Sequence, residues 1–211
     1  MAGAAGGQRS VTEGVSMPLA GPLVDRIRRD PRDFLLERLP HDSEGVEIGT
    51  HEGDFAARIL RVVRPRRLHL VDPWRFMADP EYERAQYGAK GGTDQSHMDE
   101  RYGRVLRRFQ TGVASGRVVV HRADSASAAA NFPDRSLDWV YIDGNHLYEF
   151  VLEDLERYAA KVRPGGFLAG DDYVAGGWWE GGVKRAVDEF AESGRATLEL
   201  IQARQFLLRV V

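Results

Sequence analysis

The 211-residue sequence contains no cysteine, which excludes a disulfide scaffold, a thiolate metal site and a cysteine nucleophile. Lysine is scarce as well, since 26 of the 29 basic residues are arginine. Against 32 acidic residues the formal net charge is −3, so the chain has no global positive field that would attract nucleic acid or an anionic membrane. We therefore expect no nucleic-acid partner.

Long apolar runs are also missing. No stretch approaches the roughly 18 residues that a membrane span requires, and residues 1–10 do not show a charged start followed by an apolar stretch. We expect a cytoplasmic protein with no membrane span. The hydrophobic fraction of 43% is typical of a globular protein, and the length favours one domain.

Short apolar runs that alternate with amphipathic stretches predict an α/β fold. We expect a flexible tail at 1–20, a domain at 21–211, and a helix at 23–39 interrupted by Pro31. The predicted strands are 45–48, 67–71, 117–121, 137–142 and 166–169, and the predicted helices are 54–63, 98–111, 125–131, 147–162 and 183–193. This alternation implies a mostly parallel sheet. The runs 197–202 and 205–211 predict an antiparallel hairpin at its edge.

Two stretches do not fit a minimal α/β domain. Residues 76–97 are long, polar and dotted with aromatic side chains, and residues 173–182 place two tryptophans among glycines. Loops of this kind are often functional lids. We expect both to cover an acceptor site, and the alternative is that they only pad the surface.

The loop after the first predicted strand is a candidate binding element. It reads Glu47-Ile-Gly49-Thr50-His-Glu-Gly53, and its glycines allow a tight turn and a close approach of ligand to backbone. A dinucleotide-binding loop would instead read G-x-G-x-x-G. Because the Glu47 carboxylate repels a pyrophosphate and attracts an ammonium or sulfonium, we expect a cationic ligand group here.

Two further strand ends extend this predicted site. Asp72 ends the second strand, at the place where doubly wound sheets hold a ribose diol. Asp124 and Ser125 follow the third strand, where they would contact an adenine edge. The alternative interpretation is that these carboxylates form turns and cap helices.

Three carboxylates and a histidine follow the fourth and fifth strands. Asp143, Asp171 and Asp172 would meet at the carboxyl edge of the sheet, where open α/β sheets bind ligands. Three anions in one pocket require protonation or a counter-cation, and oxygen ligands indicate Mg²⁺, with Mn²⁺ or Ca²⁺ as substitutes. His146 is the natural proton acceptor. The alternative for the aspartates is that they cap the following segment and bind no metal. The alternative for His146 is a structural role.

These motifs together resemble those of class I S-adenosylmethionine-dependent methyltransferases. More narrowly, they are similar to the metal-dependent sugar O-methyltransferases of the macrocin and polysaccharide types. The matching motifs lie within 46–190 and read E-I-G-T-H-E-G, L-V-D-P-W, R-A-D-S, Y-I-D-G-N-H-L-Y-E and R-P-G-G-F-L-A-G-D-D-Y. The resemblance implies one Rossmann-like domain whose seven-stranded sheet is mostly parallel, with an antiparallel last strand and helices on both faces.

The resemblance also implies roles for particular residues. The methionine part of the cofactor would face Glu47, Gly49 and Gly53, with Thr50 and Asp143 beside them. The ribose would face Asp72, and the adenine would face Asp124 and Ser125. The metal ligands would be Asp143, Asp171 and Asp172. Macrocin-type relatives carry an acidic residue, thought to be the base, where this chain has Asn145. The base is therefore His146 or Asp143 itself.

The implied reaction transfers a methyl group to a hydroxyl of a saccharide or another hydroxylated small molecule. The aromatic residues expected to stack on such an acceptor are Tyr82, Tyr87, Trp178 and Trp179. A catechol-type phenol is the alternative acceptor. Outside this class, the alternatives are a nicotinamide-dependent oxidoreductase and a non-enzymatic cofactor-binding protein. The sequence leaves the oligomeric state open, and a homodimer is one alternative.

Overall fold

The computed structural model describes residues 1–3, 30, 32–78, 80–85, 87 and 94–211. Most of the expected tail at 1–20 lies outside these residues, as do Pro31 and the part of the first predicted helix that precedes residue 30. The end of that helix is described as α1 (Asp33–Leu36). Both candidate lid segments are described, apart from residues 79, 86 and 88–93.

The described part of the chain forms one seven-stranded sheet. Its strands are β1 (Glu44–Ile48), β2 (Arg67–Asp72), β3 (Val118–Arg122), β4 (Leu137–Ile142), β5 (Val162–Gly170), β6 (Ala196–Gln202) and β7 (Gln205–Val210). They lie in the order β3-β2-β1-β4-β5-β7-β6. Strands β1 to β5 pair in parallel, and β7 runs antiparallel to both β5 and β6. The predicted α/β fold with a terminal hairpin is confirmed.

Helices connect the parallel strands. They are α2 (Asp54–Val62), α3 (Gln95–Arg108), α4 (Gln110–Ala114), α5 (Ser125–Ala129), α6 (Tyr148–Ala159) and α7 (Gly182–Glu192), with a 3₁₀ turn at Pro80–Tyr82. The predicted bounds of the helix at 98–111 were wrong. It begins at Gln95, because the Asp94 side chain caps the N–H groups of Ser96 and His97. It breaks at Phe109, whose φ of −105° and ψ of 15° are not helical.

Strand β5 is longer than the prediction of 166–169. It begins at Val162, which pairs with Leu137, and the register then shifts before Phe167 pairs with Trp139. The shift accommodates Pro164 and Gly165, and Gly165 has a φ of +79°. In the sequence, a proline and a glycine interrupt the strand pattern, so the prediction began only at 166. In the structure, a β-bulge accommodates both residues within the strand.

The core lies on both faces of the sheet, and β4 shows why. All six of its residues are buried, as expected for a central parallel strand. Val140 and Ile142 belong to the cluster beneath α6 and α7, whereas Trp139 and Tyr141 belong to the cluster beneath α2 and α3. Side chains alternate between the faces of a strand, so β4 joins the two halves of the core.

The topology brings six chain segments to one edge. The carboxyl ends of β1 to β5 lie there because these strands are parallel. Since β6 lies antiparallel to β7, which opposes β5, the β6–β7 turn lies at the same edge. None of the described helices is long and apolar enough to cross a membrane.

Candidate active site

The loop between β1 and α2 folds tightly around a buried carboxylate. Glu47 is 1% exposed and accepts a hydrogen bond from the Thr50 hydroxyl, with an oxygen–oxygen distance of 2.9 Å. Burial raises the pKa of Glu47 to about 8, and the charges of Asp143 and Asp72 act in the same direction, against the Thr50 hydrogen bond. A cationic group beside this loop would restore the ionised form.

Asp72 ends β2 next to the same loop. Its carboxylate accepts the backbone N–H of His51 at 2.9 Å and that of Trp74 at 2.8 Å, and it also accepts the hydroxyl of Tyr87. Burial raises the pKa of Asp72 to about 6, although these three hydrogen bonds lower it. Nε2 of His51 is buried without a partner in the described part of the chain, so the loop retains a polar atom available to a ligand.

Asp124 lies at the end of β3 as expected, and there it caps α5. Its side chain accepts the backbone N–H of Ser127 at 2.7 Å, and the hydrogen bonds of Ser127 lower the Asp124 pKa. The Ser125 carbonyl accepts the Tyr158 hydroxyl at 2.8 Å. The capping geometry agrees with the alternative interpretation and leaves the adenine contact as a prediction.

A histidine joins two aspartates at the ends of β4 and β5. Nε2 of His146 lies 3.3 Å from Oδ1 of Asp143 and 3.2 Å from Oδ2 of Asp172. One ligand atom from each of the three residues lies within 4.8 Å of the other two, a spacing suited to one metal ion. Burial alone would lower the His146 pKa, but the carboxylates around it raise it. We call these three residues the Asp–His cluster.

Asp171 stands outside this cluster. It accepts the backbone N–H of Asp172 at 2.8 Å and lies 3.8 Å from a guanidinium nitrogen of Arg32. Burial raises its pKa to about 6, helped by the charge of Asp143. Arg204, in the β6–β7 turn, donates to Asp172. Arg32 and Arg204 thus offset the negative charge of the three aspartates, as His146 does. The sequence analysis did not predict these two arginines.

Aromatic side chains from both candidate lids meet above the Asp–His cluster. The Trp179 ring lies 4.9 Å from the His146 ring, and Trp178 lies edge-on to Trp179 at 5.8 Å. Tyr82 reaches Trp178 from the other lid at 6.3 Å and accepts a hydrogen bond of 3.0 Å from the Asn145 side chain. The structure therefore brings three of the four acceptor candidates together.

Tyr87, the fourth acceptor candidate, lies elsewhere, with its hydroxyl on Asp72. Sequence reasoning also gave no role to Arg204 or Arg32. Arg204 occupies the two-residue turn that the hairpin pattern itself predicted, so its place at the carboxyl edge followed from the topology. Arg32 precedes the matched motifs, and no periodicity in the sequence connects it with Asp171.

A family model described as "Methyltransferase domain" matches residues 46–173, which run from the third residue of β1 to the segment after β5. No curated protein sequence matches the chain.

Solved structures share the fold at low sequence identity. The O-methyltransferase NovP is 22% identical with a TM-score of 0.59, covering 85% of this chain and 76% of NovP. The N-methyltransferase NodS from Bradyrhizobium japonicum WM9 is 16% identical with a TM-score of 0.53, covering 85% and 94%. A putative methyltransferase from Streptococcus mutans, solved with S-adenosylhomocysteine (SAH), is 12% identical with a TM-score of 0.55, covering 87% and 99%. The family model spans more than half of the sequence, and the chain therefore belongs to the S-adenosylmethionine-dependent methyltransferases.

Proposed function

We propose that the protein is a divalent-metal-dependent O-methyltransferase that methylates a hydroxyl of a sugar or an oligo- or polysaccharide. The observation that supports it best is the Asp–His cluster, which lies under an aromatic cover at the carboxyl edge of β4 and β5. Membership in the family implies that S-adenosylmethionine is the methyl donor. The proposal therefore concerns the acceptor atom, the metal and the acceptor class.

The donor side of the proposal rests on charge. S-adenosylmethionine carries an ammonium and a sulfonium, and the buried carboxyl of Glu47 provides a partner of opposite charge. The ribose diol matches the carboxylate of Asp72, and the adenine edge matches Asp124 and Ser125. The unpartnered Nε2 of His51 gives this loop one more polar contact for the cofactor.

The metal part rests on the donor set. Asp143 and Asp172 offer carboxylate oxygens, the ligands that Mg²⁺ and Mn²⁺ prefer, and these oxygens lie within 4.8 Å of each other. This set fits a divalent ion, with Asp171 as an outer carboxylate. When bound, the ion supplies positive charge that lowers the pKa of a neighbouring hydroxyl.

Each residue of the site has a separate role in the proposed reaction. Asp143 and Asp172 would hold the ion. His146, whose Nε2 lies 3.3 Å from Asp143 and 3.2 Å from Asp172, would act in its neutral form, with this nitrogen unprotonated and not bound to the ion, and would accept there the proton of the attacking hydroxyl. The hydroxyl oxygen forms a bond to the methyl carbon as the carbon–sulfur bond breaks, which leaves neutral SAH. Asp143 is the alternative base. Trp178 and Trp179 exclude water and orient the acceptor ring.

The acceptor class rests on the aromatic cover and the cavity beside it. A surface cavity of about 280 Å³ begins at Leu147, the residue after His146, and its other lining residues are Tyr148, Glu149, Trp178, Trp179, Glu180 and Arg185. Indole faces next to carboxylates and a guanidinium suit a ring that carries several hydroxyls. The same indole faces would also stack on a catechol, which makes a phenol the second candidate.

Methyl transfer from S-adenosylmethionine to a panel of glycosides and catechols tests the proposal. We expect glycoside methylation that is lost in EDTA and restored by Mg²⁺ or Mn²⁺. Full activity in EDTA would contradict the metal requirement. Catechols methylated far faster than any glycoside would replace the saccharide with the phenol, and methylation of amines alone would refute O-methylation.

A further inference from the structure

Tyr87 covers the carboxylate that is expected to hold the ribose. Its hydroxyl donates to Oδ2 of Asp72, and Asp72 is only 1% exposed as a result of this and the surrounding packing. Tyr87 comes from the 76–97 segment, 15 residues along the chain from Asp72. A side chain of the acceptor lid thus lies in the predicted cofactor site.

The acceptor positions of the Asp72 carboxylate are nearly full. Oδ2 receives the His51 N–H as well as the Tyr87 hydroxyl, and Oδ1 receives the Trp74 N–H. Each carboxylate oxygen accepts about two hydrogen bonds in the plane of the group. With the donors of the described residues counted, Oδ1 has one position left and Oδ2 has none, whereas a vicinal diol that binds both oxygens needs one position on each.

The backbone bonds on Asp72 cannot yield easily, but the Tyr87 bond can. The His51 and Trp74 N–H groups belong to the tight turns beside β1 and β2, and the Trp74 indole is itself tied to the His51 carbonyl at 2.8 Å. Among the described residues, Tyr87 is held by its hydroxyl on Asp72, by a backbone hydrogen bond of 2.9 Å from the Met77 N–H to its carbonyl, by a ring contact of 5.9 Å with His51, and by packing of its partly buried ring against the core cluster beneath α2 and α3. Tyr87 is the partner that a diol can displace.

We propose that Tyr87 gates the cofactor site, occupying the ribose position on Asp72 in the empty protein and leaving it when the cofactor binds. The inference rests on the proposed binding of the cofactor ribose at Asp72. Because Tyr87 belongs to the same segment as Tyr82, which lies over the Asp–His cluster, release of Tyr87 gives cofactor binding a direct route to rearrange the acceptor lid.

The test measures SAH binding by titration calorimetry for the wild type, Tyr87→Phe and Ser136→Ala. The control, Ser136→Ala, removes an exposed hydroxyl that donates to the Pro133 carbonyl at 2.8 Å in the turn before β4. Removing the competing bond should tighten SAH binding to Tyr87→Phe by about tenfold, the effect of one hydrogen bond to a charged group. Ser136→Ala should bind SAH like the wild type.

A SAH analogue that lacks both ribose hydroxyls separates gating from a general change in the loop. This analogue does not need the Tyr87 position, so it should bind the wild type and Tyr87→Phe with equal affinity. Weaker or unchanged SAH binding by Tyr87→Phe would overturn the gate while leaving the cofactor in place. SAH that binds neither protein would refute the proposed function itself, and SAH that binds only Tyr87→Phe would support the gate in its strongest form.

Discussion

Gly49 and Asp143 are in direct backbone contact, and this contact joins the two halves of the site. A Cβ on Gly49 would lie 2.0 Å from the carbonyl oxygen of Asp143. Gly49 also has a φ of +90°, a conformation that other residues rarely adopt. The cofactor loop that contains Glu47 is thereby held against the strand end that bears the Asp–His cluster.

Gly49→Ala should destabilise the protein by about 3 kcal/mol or more. The methyl group adds a steric clash with Asp143 to the strain of a left-handed backbone. Gly116→Ala is the matched control, because Gly116 has a φ of +73° and nothing within 4 Å of its Cβ position. Urea denaturation should show a cost of only about 1–2 kcal/mol for the control. Equal costs for both variants would contradict the close contact.

Asp143→Asn and Asp172→Asn should abolish methyl transfer and Mn²⁺ binding while changing SAH affinity by less than about threefold. An amide cannot replace a carboxylate in charge, so the cluster loses its attraction for a divalent ion. Electron paramagnetic resonance of added Mn²⁺ and calorimetry with SAH make the two measurements. The control is Asp134→Asn, an exposed carboxylate paired with Lys161. Wild-type turnover in either cluster variant would argue for a purely structural cluster.

Glu47 should make the stability of the protein fall as the pH rises from about 4.5 to about 8. Its folded pKa of about 8 lies above the ordinary value of 4.5, so its contribution is fully present below pH 4.5 and is lost as the pH rises through 8. Glu47→Gln removes this titration. We expect the variant to gain about 1–2 kcal/mol relative to the wild type between pH 6 and pH 9, measured by denaturant unfolding. Glu37→Gln, at an exposed position, should show no such trend.

A second pH effect comes from a chain of side chains across β1, β2 and β3. Nδ1 of His69 lies 3.0 Å from Nε2 of His121, and Nε2 of His69 lies 3.1 Å from Oε1 of Glu44. Burial lowers the pKa of both histidines, so the folded state favours their neutral forms. Their contribution is present above pH 6.5 and is lost as the pH falls below that value.

His121→Asn should therefore flatten the loss of stability between pH 7.5 and pH 5.5. The residual slope reports His69 and the rest of the protein. Thermal or denaturant unfolding across this range gives the comparison, with His41→Asn at an exposed position as the control. A slope identical to that of the wild type would show that His121 does not change its protonation state on unfolding.

Much of the site could be predicted because parallel strands end at a common edge. Once the runs at β1, β2, β4 and β5 are recognised, Glu47, Asp72, Asp143 and Asp172 must lie near one another. The strand bounds were predicted to within a residue or two except at β5, where proline and glycine concealed a bulge. The polar residues that follow the strands therefore indicated the chemistry without a structure.

What the sequence alone determined is thus the α/β fold, the terminal hairpin and the edge at which the carboxylates collect, because strand periodicity and the alternation of strands with helices along the chain are local signals. The tertiary structure decided which side chains meet there. Arg204 pairs with Asp172 across 32 residues, Tyr82 meets Trp178 between two loops, and Tyr87 covers Asp72 instead of the acceptor. Loops have no repeating pattern, and their side-chain contacts follow from packing against distant parts of the chain, which no local signal encodes.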